Sequence, residues 1–129
     1  MVVVLFVCTG NAARSQMAEG LLRNLKSEFT ILSAGTKPEG VSKKAVKVME
    51  ELGLDISNHT SDNLKEVDWK SADFAITLCG SANETCVSMP WPEKCKRMHW
   101  PIEDPESEQD YRKARDEIKE RLIEFLADI

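Results

Sequence analysis

Cys8, Arg14 and Ser15 fall in the stretch CTGNAARS, where five residues separate a cysteine from an arginine and a serine follows at once. If the chain turns there from a strand into a helix, the backbone N–H groups of Thr9, Gly10, Asn11, Ala12 and Ala13 gather into a concave nest. Such a nest at a helix N-terminus binds a tetrahedral oxyanion. Arg14 would return a planar fork to two of the anion's oxygens. The same positive surroundings favour the thiolate of Cys8. Its sulfur would then lie beneath the anion, placed for in-line attack. Gly10 is expected to permit the tight curvature, Asn11 to tie the loop through its side chain, and Ser15 to hydrogen-bond the sulfur and help it leave. An inert, packed cysteine is the alternative reading. Four cysteines and six arginines give about 0.2 chance matches to Cys-x5-Arg in a chain this long, and roughly 0.01–0.02 once the serine is required. No Gly-Lys-Ser/Thr follows, so a nucleotide-binding loop is not supported.

Two further stretches carry reactive groups. In TLCGSANETCVSMPWPEK, Cys79 and Cys86 are separated by six intervening residues on what reads as a polar, mobile loop leaving a strand. They could simply pack, or join Cys95 and His99 in a metal site. The usual Cys-x2-Cys pair of structural zinc is absent. Cys95, between Lys94 and Lys96, has no evident role. In HWPIEDPE the pair Asp104-Pro105 offers a carboxylate, with Glu103 its rival. Asp-Pro is also ordinary turn chemistry.

Elements must carry these groups. Residues 2–7 are short, apolar on both faces and β-branched, as in a central parallel strand. A helix is expected from Ser15, with Met17, Leu21, Leu22 and Leu25 on one face. A second strand is expected over 29–32, ended by Ala34-Gly35. Ser42 caps a helix that presents Ala45, Met49 and Leu52 to the core and stops at Gly53. Strands follow at 74–78 and, more weakly, at 96–100. An amphipathic helix covers about 107–126, with Tyr111, Ala114, Ile118, Leu122 and Phe125 on its apolar face. Alternating strands and helices make an α/β sheet with right-handed crossovers. Ligands of such sheets sit beyond the strand carboxyl ends, at the switch point. Both Cys8 and Cys79 fall there.

The 129 residues make one domain, 42% hydrophobic and 30% charged, as in a soluble globular protein. A net charge of −5 argues against nucleic acid or an anionic membrane as partner. The apolar run at 2–8 has no positive segment ahead of it and meets polar residues at once, so it reads as neither signal peptide nor membrane span. A cytoplasmic location with reduced thiols is expected, which makes the four cysteines catalytic or metal-binding rather than a disulfide framework.

The Cys-x5-Arg-Ser loop at the start of the chain, the length, and the late Asp104-Pro105 pair resemble the low-molecular-weight protein tyrosine phosphatase superfamily. That resemblance implies a single three-layer α/β domain over residues 1–129, a four-stranded parallel sheet flanked by helices. It makes Asp104 the general acid for the departing oxygen. Within the superfamily, CTGN..RSQMAEG and the Cys79/Cys86 spacing are similar to the thioredoxin-coupled arsenate reductases. Phosphatases usually carry proline after Arg-Ser, where this chain has Gln16, and aromatic residues after Asp-Pro, where it has Glu106 and Ser107. Arsenic(V) accepts two electrons and phosphorus does not, so a reductase draws on extra thiols. The implied relay runs from a Cys8–arsenate ester to a Cys8–Cys79 disulfide, then to Cys79–Cys86, which thioredoxin or a similar dithiol protein such as glutaredoxin opens. Ala13 stands where many members have a second loop cysteine. The resemblance also implies potassium beneath the loop, at Asn11, Glu19, Ser33, Thr60 and Asp62. The alternative there is a hydrogen-bond network that needs no ion; no cofactor is otherwise required. The expected partners are arsenate or phosphate and a dithiol reductant, and a monomer is the expected state. A phosphatase using Cys8, Arg14 and Asp104 alone is the second reading, and an idle oxyanion-binding module the third. The three tryptophans are expected to pack, with Trp91, between Pro90 and Pro92, placed to meet a reductant.

Overall fold

The structure, a computed structural model, describes residues 1–129. Four parallel strands run in the order β2-β1-β3-β4: β1 Val3–Cys8, β2 Thr30–Gly35, β3 Phe74–Thr77 and β4 Lys96–His99. The helices are α1 Arg14–Leu25, α2 Lys43–Glu50, α3 Gly80–Val87 and α4 Glu108–Asp128. No helix is long and apolar enough to cross a membrane.

Alternation along β1 builds the layers. Val4, Phe6 and Cys8 face a core shared with Met17, Leu21 and Leu22 of α1, Val48 and Met49 of α2, and Ile118 and Leu122 of α4. Leu5 and Val7 face the opposite side, where Ala82 and Cys86 of α3 pack with Ala75 and Cys95. The result is the expected three-layer sandwich. Both faces of β1 are dry because both are covered, as parallel sheets require. The chain leaves β1 toward β2 on one side and later returns to β3 on the other, so the switch point lies at the end of β1. Cys8 is the last residue of that strand.

Several expectations need adjustment. Ala34 and Gly35 belong to β2 rather than ending it, because they pair with Val7 and Cys8. Leu25 and Leu52 are exposed rather than in the core; each lies at or beyond the end of its helix, where the apolar face has run out. The segment after Cys79 is not a loop but the helix α3. Cys79 is its N-cap, the Cys79 sulfur accepting from the Ala82 amide at 3.4 Å. The sequence GSANETCV hides this helix, because Gly, Ser, Asn, Thr and Val are weak helix formers and a cysteine is an unfamiliar cap. Trp91 is half-buried instead of free: it stacks edge-on to Trp69 at 5.0 Å and donates its indole N–H to the Cys86 carbonyl at 2.7 Å.

α4 opens with a capping box between Ser107 and Asp110. Its buried Arg115 reaches α2, donating to the Val48 carbonyl at 2.8 Å and to Glu51 at 2.9 Å.

Two glycines respond to a methyl group in opposite directions. A Cβ on Gly35 would meet the Thr9 carbonyl oxygen at 2.5 Å and the Asn11 amide at 2.8 Å, both backbone. A Cβ on Gly80 meets nothing within 4 Å. Gly35→Ala is expected to lower stability by about 1–3 kcal/mol through overpacking. Gly80→Ala should raise it by about 0.4–1 kcal/mol by restricting the unfolded chain. Urea unfolding midpoints of the two variants test both signs.

Candidate active site

The loop from Thr9 to Ala13 is held by its carbonyls. The Thr36 amide donates to Cys8 O at 3.3 Å, Lys37 to Thr9 O at 2.8 Å, Glu39 to Gly10 O at 2.9 Å and Ser42 to Ala12 O at 2.8 Å. Gln16 Nε2 donates to Asn11 O at 2.9 Å, and the Met17 amide to Ala13 O at 2.9 Å. Each carbonyl is taken, while none of the amides of residues 9–13 donates within the protein. α1 begins at Arg14 with no side-chain cap and no acidic residue in its first turn. Loop and helix end therefore present a row of uncommitted donors. They line a cavity of about 420 Å³ with Cys8, Arg14 and Asp104. That is a place for a small oxyanion.

Asn11, not Gly10, takes the strained backbone, with φ of +46°. Its side chain secures that conformation: Oδ1 accepts from the Asp62 amide at 2.9 Å, and Nδ2 donates to Ser15 Oγ at 2.7 Å and Ser33 Oγ at 3.0 Å. Gly10 serves close approach instead, since a Cβ there would meet Glu39 Oε2 at 2.8 Å. Ser15 Oγ lies 2.9 Å from Cys8 Sγ. Having accepted from Asn11, it keeps its own proton for the sulfur. A donor chain thus runs from Asn11 through Ser15 to Cys8.

Arg14 is fixed by its Nη1, which donates to the Ile102 carbonyl at 2.9 Å, while Nη2 lies 3.5 Å from Asp104 Oδ1. The segment after β4 reaches the site because the Ile102 amide bonds Leu78 O at 3.2 Å beside the end of β3. Of the two neighbouring carboxylates, Asp104 lines the cavity and Glu103 does not. The Asp104 side chain is 77% exposed, at the mouth, where a departing oxygen would meet it.

Cys79 also arrives here. Thr9 Oγ1 touches its sulfur at 3.2 Å, so the second thiol lies against the first residue of the loop. All four cysteines are unbridged. Cys86 is buried on α3, and that burial pushes its thiol up to about 11. Cys95 is buried at the lead into β4 and is likewise raised by burial. No three His, Cys, Asp or Glu side chains are arranged to hold a metal ion, so the alternative cluster of Cys79, Cys86, Cys95 and His99 is not assembled. The His99 ring nitrogen instead lies 2.9 Å from Thr77 Oγ1.

Asn11, Glu19, Ser33, Thr60 and Asp62 do form one connected network. Ser33 Oγ donates to Glu19 Oε1 at 2.6 Å, Thr60 Oγ1 donates to Asp62 Oδ2 at 2.8 Å, and buried Gln16 donates to the Thr60 carbonyl at 2.8 Å. The oxygen-rich donor set suits a hard monovalent cation. In this arrangement, however, Arg23 holds Glu19 Oε2 at 2.6 Å and supplies the neutralising charge. His59, 3.8 Å from Glu19, is pushed below its usual range by burial, which outweighs the pull of Glu19. Its ring instead bonds Gln16 Oε1 at 2.9 Å.

Sequence reasoning passed over Glu39 and Tyr111, which line the anion cavity, and the buttressing role of Gln16. Glu39 follows β2 on the loop at the strand carboxyl ends, and that position was the available signal. Tyr111 falls on the apolar stripe of α4, which masks it.

Burial of Cys86 gives a pH signature. Between pH 9.0 and about 11 the unfolded chain loses the Cys86 proton while the folded chain keeps it. Stability is therefore full below 9.0 and falls as pH rises through this window. Urea midpoints against pH should show a flatter alkaline decline for Cys86→Ala than for the parent.

Comparison with known proteins follows the same lines. Residues 3–129 match the family model for low molecular weight phosphotyrosine protein phosphatase. The arsenate reductase of Staphylococcus xylosus is 41% identical over 125 residues, covering 95% of this chain and 94% of the relative. That of Bacillus subtilis (strain 168) is 42% identical over 132 residues, covering 95% and 94%. Among solved structures, an arsenate reductase in the phosphate-binding state superposes with a TM-score of 0.84 at 34% identity, over 100% of this chain and 99% of its own. A low molecular weight protein tyrosine phosphatase from T. tengcongensis gives 0.87 at 30% identity, with both chains covered in full. Matched from the first strand through the last helix, the chain belongs to the low molecular weight phosphotyrosine protein phosphatase family.

Proposed function

We propose that this protein reduces arsenate to arsenite, acting as a monomer and regenerated by thioredoxin or a similar dithiol protein. The observation that carries the reading is Cys79, held against the anion loop by Thr9 at 3.2 Å. Ester hydrolysis has no use for a second thiol there, whereas reduction of arsenic(V) needs one. The relatives named as arsenate reductases, at 41–42% identity, support the same choice.

The Cys8 thiolate attacks arsenic, and Asp104 protonates the departing oxygen, leaving a Cys8–arsenate ester. Amides 9–13 and Arg14 stabilise the negative oxygens throughout. The Cys79 thiolate then attacks Cys8 Sγ. The S–As electron pair passes to arsenic, arsenite leaves and a Cys8–Cys79 disulfide remains. The Cys86 thiolate attacks Cys79, Cys8 departs as thiolate, and the bond becomes Cys79–Cys86. Two electrons from the dithiol partner restore both thiols.

The last transfer needs α3 to open. Seven residues along a helix separate Cys79 from Cys86 by about 10.5 Å, whereas disulfide Cα atoms lie roughly 4.4–6.8 Å apart. When Cys79 turns to attack Cys8, its sulfur leaves the Ala82 amide and the helix loses its cap. Eight residues, most of them weak helix formers, then have little to hold them, so the first exchange loosens the element that the second requires. A potassium ion beneath the loop would be held by Glu19, Ser33, Asp62, Thr60 and Asn11, with Arg23 displaced. It would neutralise carboxylates and stiffen the loop, and no step passes through it.

The decisive experiment follows arsenite release and p-nitrophenyl phosphate cleavage in the same preparations. Cys79→Ser should release no arsenite. Cys86→Ser should release about one equivalent per enzyme and stall as a Cys8–Cys79 disulfide. Ester cleavage that is unaffected by both substitutions, with no arsenite from the parent, would assign a phosphatase instead. Arg14→Lys keeps the charge but loses the fork, and Asp104→Asn removes the acid, an effect of about 10²–10⁴-fold on ester formation. Normal single-turnover rates in either variant would remove that residue from the mechanism.

A further inference from the structure

Cys95 is a buried thiol that the relay leaves idle. It shares the α3-side core with Cys86, and the two thiols line one cavity of about 410 Å³ with Arg97 and Val87. The chain between them forms a clamped reverse turn: the Cys86 carbonyl accepts from both Met89 N at 3.1 Å and Trp91 Nε1 at 2.7 Å, and the Cys95 amide bonds Pro92 O at 3.0 Å. The Cys95 sulfur lies 3.9 Å from the Lys96 carbonyl. A loop this short and this constrained keeps its ends near each other at little entropic cost.

We propose that Cys95 takes over the disulfide from the Cys79–Cys86 pair as a Cys86–Cys95 bond, so that α3 can rewind while the oxidising equivalents wait beside β4. The Cys95 thiolate attacks Cys86 Sγ and the Cys79–Cys86 bond breaks. Cys79 leaves as thiolate and takes up the proton that Cys95 gave. One S–S bond replaces another, with no net change in electrons. The dithiol protein then reduces Cys86–Cys95 in place of Cys79–Cys86.

Conformation supplies the direction. Cys79–Cys86 cannot coexist with a folded α3, so that bond keeps Ala82 and its neighbours out of the core. A Cys86–Cys95 bond joins two chain ends that already border one cavity and makes no demand on the separation of Cys79 from Cys86. Cys79 can then cap α3 again and return to Thr9. Arg97 in the same cavity favours the thiolate at both cysteines against the burial that opposes it. Burial is relieved while α3 is open, which speeds the exchange.

The proposal rests on arsenate reduction for its source of oxidising equivalents, so the test has two arms. In the first, the parent is given arsenate without reductant, quenched at low pH, alkylated and peptide-mapped. Cys86–Cys95 is the expected major bridge. Cys95→Ala should hold the bridge at Cys79–Cys86 and show reduced helicity by far-UV circular dichroism. A parent that carries only Cys79–Cys86, with Cys95 fully alkylated, would overturn the handover. In the second arm, Cys79→Ser is oxidised with diamide, which needs no arsenate, and checked for a native dichroism spectrum. A monomer bridged at Cys86–Cys95 is expected. Free Cys86 and Cys95 in that folded variant would overturn the pairing even where arsenite is made. Were arsenite absent throughout, the functional reading would fall, and the diamide arm would still decide whether these thiols pair.

Discussion

A peptide group carries its N–H and C=O on opposite sides, and the site depends on that opposition. Between Cys8 and Ala13 each carbonyl is bonded to the neighbouring 36–42 segment, to Gln16 or to the first helical turn. With the carbonyls pinned, the amides are left over, and an unpaired buried donor is costly. The cost is borne because the rest of the structure over-determines it. Gly35 lets β2 pass against Thr9 and Asn11. Ser42 bonds the loop with its amide, caps α2 with its hydroxyl and donates to Tyr111 of α4 at 3.1 Å. An anion in the cavity relieves the arrangement without rebuilding it. That is preorganisation in the sense that matters for stabilising developing charge.

The chain as a whole is negative, and Glu39 and Asp104 stand at the cavity rim. Long-range steering therefore gives an incoming oxyanion no help. Attraction is short-ranged, from amides and Arg14 held by Ile102. Arg23 against Glu19 shows the same economy beneath the loop, where one cation and several hydrogen bonds settle two carboxylates. The opposite face of β1 has the contrary character. α3 is short, made of poor helix formers and capped by a thiol. One face is built to stay still and the other to give way.

How much of this could be read from the residues follows from locality. The strand, loop and helix around Cys8 are contiguous, so period, turn and helix-start signals lie side by side. Asp104 was legible only through resemblance, since nothing local says that Ile102 would bring it beside Arg14. α3 reads as a loop in sequence because packing of Ala82 and Cys86 against β1, together with a sulfur cap, overrides weak propensity. Glu39 and the Gln16 bridge depend on contacts across 29 and 44 residues (Gly10 to Glu39, Gln16 to Thr60), which no window of sequence displays. Asn11 rather than Gly10 takes the left-handed backbone because four hydrogen-bond partners are waiting for its side chain and carbonyl.

The two faces of β1 also separate two histories. Anion capture is completed by α1, the 36–42 segment and Asp104. The thiols Cys86 and Cys95 belong to the other core, joined to the first through Cys79 and Thr9. A lineage could acquire, lose or re-space those thiols within α3 and the turn after it without disturbing a single bond to the loop carbonyls. Hydrolysis and reduction then become neighbouring occupations of one scaffold, divided by about one and a half dozen residues between the end of β3 and the start of β4, and that interval is where a designer should cut.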